Sequence, residues 1–135
     1  METIADLEYA HIKNYAEDKV VEIQWKSVTK LSLEEYQNAL TLALDFQTEN
    51  PNKVDFYLSD IREQKILSPD FRKWFQEVAI PRALKNNLKA GAVIFDGNVF
   101  KKYYLNNIMN STKKFGIPFK FFNTREDAII WLKSL

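Results

Sequence analysis

Ala90–Phe95 reads AGAVIF, a run in which no side chain is polar. Side chains of a strand alternate between the two faces of a sheet. A strand with no polar residue therefore has both faces covered, which calls for a central position in a sheet flanked by helices. The run is far too short to cross a membrane. It obliges the rest of the chain to supply neighbouring strands and covering helices.

The remaining sequence supplies both. Val21, Ile23 and Trp25 alternate with Glu22 and Gln24, the period of a half-buried strand. A less regular strand, Tyr9 to Tyr15, precedes it across the polar turn AEDK, which predicts a hairpin. In LSLEEYQNALTLALDF, Ser32 and Glu35 have the spacing of a capping box. Tyr36, Leu40, Ala43 and Leu44 then fall on one helical face. KVDFYLS reads as a strand. SPDFRKWFQEV reads as a helix with Ser68 as N-cap, Pro69 at the first position and Phe71, Trp74, Phe75 and Val78 as its apolar stripe. Pro81 is expected to break or kink it before a short helical piece, RALKNNL. Asn98 caps VFKKYYLNNIMNSTKKF, in which Phe100, Tyr104 and Ile108 are expected to face the sheet and the lysines to face water. IPFKFF is a last strand, and Thr124 caps the closing helix. After the hairpin, strands and helices alternate, so the chain is expected to form one α/β domain, residues 1–135, with a mostly parallel sheet.

Composition excludes several function classes. There are 19 basic and 18 acidic side chains, a net charge of +1, which gives no broad field for nucleic acid. Cysteine is absent, removing disulfides, thiolate catalysis and zinc–sulfur sites. With three glycines in all, neither a phosphate-binding loop nor a dinucleotide fingerprint can be written. METIADLEYA has neither the basic start nor the apolar run of a signal peptide, so a cytoplasmic location is expected. No membrane span, metal or cofactor is expected.

Three stretches carry a family resemblance: the opening hairpin, the strand VDFYLSD, and the ending IPFKFFNTREDAIIWL, with Asp127, Ala128, Trp131 and Leu132 in an acidic-Ala-x-x-Trp-Leu helix. With WFQEVAIPRALK, they resemble the STAS-like (SpoIIAA-like) anti-sigma-factor antagonist fold, in an uncharacterised bacterial branch. The resemblance implies a mixed, mostly parallel sheet of about five strands with an N-terminal hairpin and four to five helices, in the βαβ manner. It also implies a small module that works by binding a protein, nucleotide or lipid. Classical members carry a phosphorylatable serine in an Asp-Ser-Ser-Gly-like loop after the third strand. Here that place reads LSDIREQ; Ser59 is its one hydroxyl, it precedes the acid, and no glycine follows. Lipid-binding relatives are considerably longer, so a capacious lipid pocket is not expected.

Ligands of open α/β sheets bind outside the carboxyl ends of the strands. That edge collects Ser27, Thr29, Ser59, Asp60, Arg62, Asp96, Asn98, Asn123, Thr124 and Arg125. One reading is a polar crevice centred on Asp60 and Arg62; the other is ordinary turn chemistry, with Asp60 pairing to Arg62 or to local amides. Ser59 is either a phosphorylation site or a strand-end serine with a local hydrogen bond. Trp74 packs in the core or marks a partner groove or homodimer face. His11, the one histidine, sits on an early strand and lacks the partners of a catalytic triad. The sequence thus points to a non-enzymatic regulatory or protein-interaction module, binding its partner through Ser59, Asp60, Arg62, Trp74 and Asp96. The alternative is a domain that binds a nucleotide or an apolar small molecule at the strand ends.

Overall fold

The computed structural model describes residues 1–135. Its strands are β1 (Glu2–Asp6), β2 (Ala10–Tyr15), β3 (Val20–Trp25), β4 (Phe56–Asp60), β5 (Ala90–Ile94) and β6 (Phe119–Phe122). Its helices are α1 (Leu33–Glu49), α2 (Pro69–Trp74), α3 (Ile80–Lys85), α4 (Val99–Lys113) and α5 (Arg125–Lys133), with a π-helical turn, Phe75–Ala79, joining α2 to α3. The six strands lie in the sheet in chain order. β1, β2 and β3 pair antiparallel, and β3 to β6 pair parallel.

AGAVIF behaves as its composition requires: every residue of β5 is buried. One face of the sheet is covered by α1, the α2–α3 segment and α4, around a core that includes Ile12, Ile23, Leu40, Ala79 and Leu105. The other face is covered by α5, whose Ala128 and Leu132 pack on Leu58, Ala92 and Ile94. Most caps form as the sequence predicts. Ser32 Oγ accepts from the Glu35 amide at 3.0 Å, and Glu35 Oε1 accepts from the Ser32 amide at 2.9 Å. Asn98 Oδ1 accepts from the amides of Phe100 and Lys101, and Thr124 Oγ1 from that of Asp127.

The sheet has six strands where about five are expected; the added one, β1, lies at the edge beside β2, and its adjacent apolar residues Ile4 and Ala5 give no alternation to betray it. Three expectations need correction. Pro81 does not break the helix. The preceding turn widens so that the Ile80 amide bonds to the Phe75 carbonyl, making room for a ring that otherwise clashes with the carbonyl one turn back. The wider turn also shifts the helical phase, so Phe75, Ala79, Ile80 and Ala83 face inwards while Val78 is 46% exposed. Ser68 occupies the N-cap position of α2 but makes no capping bond; its hydroxyl donates to Asp70 instead. On α4, Tyr104 and Ile108 face inwards as expected, but Phe100 is 67% exposed and Lys101 is 3% exposed. The buried stripe is Lys101, Tyr104, Leu105, Ile108 and Thr112.

Candidate binding site at the carboxyl ends of the parallel strands

β3, β4, β5 and β6 end at Trp25, Asp60, Ile94 and Phe122, on one edge of the sheet. Strand alternation then sends neighbours to opposite faces. Ser59 turns toward α1 and Asp60 toward α5, so the predicted crevice residues divide into two clusters.

The first cluster is aromatic and hydroxylic. Trp25 is 2% exposed and stacks on Tyr36 with ring centroids 5.2 Å apart. Its indole N–H donates to Ser59 Oγ at 3.2 Å. The bond to Ser59 is thus a tertiary contact from the neighbouring strand rather than a sequence-local one, and at 5% exposure a kinase reaches the hydroxyl only if this corner opens. Trp74 is half-buried, edge-on to Tyr36 at 6.2 Å, and belongs to the same aromatic group. A cavity of about 30 Å³ lies among Trp25, Tyr57, Ser59, Gln64 and Tyr104. The Gln64 Nε2 and the Tyr104 hydroxyl are buried without a partner.

Burial pushes the Tyr36 and Tyr57 hydroxyls well above the ordinary tyrosine value, and that of Tyr104 up to about 12. The folded chain thus keeps protons that the unfolded chain sheds from about pH 10. For Tyr104 this contribution to stability is complete below pH 10 and is lost as pH rises through about 12, and for Tyr36 and Tyr57 the loss extends to higher pH. Tyr104→Phe is expected to make the alkaline loss of stability shallower. At pH 7 it should shift stability by no more than about 1 kcal/mol, because the hydroxyl has no protein partner. Urea midpoints at pH 7 and pH 11 check this; an unchanged alkaline loss would mean that Tyr104 ionises freely in the folded state.

The second cluster is ionic and faces α5. Asp60 accepts from the Arg62 amide at 3.2 Å, from Nε at 3.0 Å and from Nη2 at 2.8 Å. Both forms of turn chemistry expected for Asp60 are present, the pair with Arg62 and the local amide bond. The Asp60 side chain is 4% exposed, whereas Arg62 remains 44% exposed. Beside them Glu22, the supposed outward residue of β3, is fully buried. Arg125 grips its carboxylate with both terminal nitrogens, and Lys13 Nζ lies 3.9 Å away. Lys13 also donates to Gln24 at 2.8 Å, and the Arg125 guanidinium lies over the Tyr15 ring.

A third group ties the corner to the turn before α4. The Lys101 amine donates to the Ile61 carbonyl at 2.9 Å and to Asp96 at 3.3 Å. Partial burial raises the Asp96 carboxyl, but the Asn98 amide and the Lys101 amine outweigh it and hold the group below its ordinary value. Outside this anchor, Val99, Phe100 and Tyr103 stand 67–70% exposed. Lys101 and Glu22 escape sequence reasoning because a charged residue at a strand or helix position reads as solvated. Gln64 lies in a loop with no periodicity to flag it.

His11 carries no triad; its Nε2 lies 3.0 Å from Thr3 Oγ1 at the sheet edge. No three His, Asp or Glu side chains gather as metal ligands. No helix is long and apolar enough to cross a membrane.

A hairpin-led, mostly parallel sheet with α5 alone on one face defines a SpoIIAA-like α/β fold. An uncharacterised DUF3478-family protein from Shewanella loihica PV-4, described as having a SpoIIAA-like fold, is similar to this chain at a TM-score of 0.60 and 23% identity, over 95% of this chain and 97% of the other. The family model for DUF7793, a domain of unknown function, matches residues 14–135, and the chain belongs to that family. No curated protein matches the sequence.

Proposed function

We propose that this chain is a non-enzymatic regulatory module of STAS-like type that binds a protein partner in the bacterial cytoplasm. The contact surface is Arg62 at the corner after β4, together with the Asp96 turn and the first turn of α4. The observation that carries this reading is the exposure of Val99, Phe100 and Tyr103 beside a corner held in place by Lys101. Exposed apolar groups are the composition of a partner-binding surface, and the half-exposed Arg62 adds a charge at the corner that Lys101 holds through the Ile61 carbonyl. Asp60, the one candidate base, is engaged by three N–H groups of Arg62, which supports binding rather than catalysis. Trp74 belongs to the aromatic group around Tyr36 and supports the fold there, and the partner is either another protein or a second copy of the chain.

The test compares wild type with the triple variant Arg62→Ala, Phe100→Ala, Tyr103→Ala. Phe100 and Tyr103 are largely outside the core, so each should change stability by about 0.5 kcal/mol, whereas Arg62→Ala strips the buried Asp60 of two of its three donors and should cost more, so the triple variant is compared only once circular dichroism shows it folded. Cross-linking in the native host with quantitative mass spectrometry should show a specific partner lost, roughly tenfold or more, from the folded triple variant. Equal recovery of every cross-linked protein by both would refute the surface.

A further inference from the structure

A second cavity opens at the same edge, between the β3–α1 loop and the β4–α2 loop, with a volume of about 240 Å³. Its walls include Trp25, Leu67 and Phe71. Lys30 and Lys65 line it too, and both are exposed. Lys65 Nζ donates to the Thr29 carbonyl at 2.9 Å, and neither lysine is paired with a carboxylate. Gln64 lines this cleft and the inner 30 Å³ cavity alike. It is 7% exposed, and its Nε2 has no partner. A buried amide donor left unsatisfied costs on the order of 1–3 kcal/mol, so the Gln64 amide is a donor that an acceptor entering the cleft, water or ligand, can satisfy.

We propose that this cleft binds a small aromatic or branched monocarboxylate. The apolar body lies against Trp25, Leu67 and Phe71. The carboxylate accepts from the Gln64 amide and is drawn by the charge of Lys30 and Lys65. Size favours a small ligand: the cleft falls below the roughly 300–1,000 Å³ of pockets that take drug-sized ligands, so much of a long acyl chain or a nucleotide would lie outside it. Charge narrows the class. Three lysines line the cleft; Lys26 is already paired with Asp6, so Lys30, Lys65 and one amide remain, a modest charge that suits a monocarboxylate, while bidentate phosphate binding would call for the arginine forks this cleft lacks. The site is distinct from the proposed partner surface, and its occupant needs no protein to be detected.

Phenylacetate and its neutral analogue phenylacetamide are the probes, titrated into the purified full chain by two-dimensional NMR. Phenylacetate should shift the Trp25 indole N–H and the Gln64 side-chain amide saturably at millimolar concentration, and phenylacetamide should bind more weakly. The double variant Lys30→Glu, Lys65→Glu is at the surface and should fold. Its affinity for phenylacetate should fall by roughly tenfold, the range expected from two exposed charge contacts. Absence of a saturable shift at those two groups, or equal affinity of the charge-reversed variant, would overturn the proposal. A failure here leaves the partner experiment unaffected, because that experiment reads Arg62, Phe100 and Tyr103, none of which lines this cleft.

Discussion

Trp25→Ala is expected to destabilise the protein by about 3–5 kcal/mol, a large fraction of the 5–15 kcal/mol typical of a domain. Trp25 ends β3 at 2% exposure and forms a wall shared by the inner 30 Å³ cavity and the 240 Å³ cleft. Truncation joins the two spaces, removes the stack on Tyr36 and leaves Ser59 without its donor. The surrounding elements cannot close the gap fully, since α1 and the α2–α3 segment are already packed on the same core. Trp25→Phe separates the contributions. It keeps most of the ring and deletes the N–H, so it should cost about 1–2 kcal/mol from the lost hydrogen bond and a smaller void. Urea unfolding of both variants supplies the numbers. A loss below about 1 kcal/mol for Trp25→Ala would show that the corner is loosely packed and that the wall between the cavities has little structural weight.

Much of this architecture is legible in the sequence because its signals are local. The Ser32–Glu35 spacing is a capping box in the structure, and the unbroken apolar run of β5 is buried on both faces. The resemblance to SpoIIAA-like proteins carries the strand order further than periodicity alone. What escapes is decided across distance. Ile4 and Ala5 of β1 are adjacent in sequence, so no alternation marks it as a strand, and it becomes one through pairing with β2 and packing those two residues against the core. Lys101 holds an interior position because Ile61 and Asp96, distant or on another element, come together around its amine. A helical wheel with the phase of Phe100, Tyr104 and Ile108 fits the sequence nearly as well as the true one. The candidate site divides in the same way. Asp60 and Arg62 are sequence neighbours and their pairing can be anticipated, whereas Gln64 and Tyr104 meet at one cavity only through the tertiary fold.

Arg125→Ala is the complementary case, in which a charge rather than a volume is removed. Glu22 is fully buried in the middle of β3, and its carboxylate is held by Arg125, with Lys13 at 3.9 Å. Taking a carboxylate out of water is costly, and the compensation comes mainly from the two-pronged guanidinium contact. Without Arg125, the carboxylate keeps only the distant amine, which also serves Gln24. The expected loss is about 3–5 kcal/mol, as for a buried ion pair with one member deleted. The reverse deletion should be milder. Glu22→Gln leaves Arg125, which at 34% exposure can turn to water, and the amide retains acceptor and donor groups for Lys13 and the remaining contacts. The order of the two losses is the test, measured by urea unfolding at neutral pH. Equal losses, or a larger one for Glu22→Gln, would mean that Lys13 rather than Arg125 balances the buried charge. If the predicted order holds, α5 docks on the sheet through an ionic latch at its first residue as well as through Ala128 and Leu132. Strand β3, whose carboxyl end carries Trp25, is then fixed from both faces: by Arg125 on one side and by the Tyr36 stack on the other. That double fixation holds the wall of the cleft in register with the corner after β4.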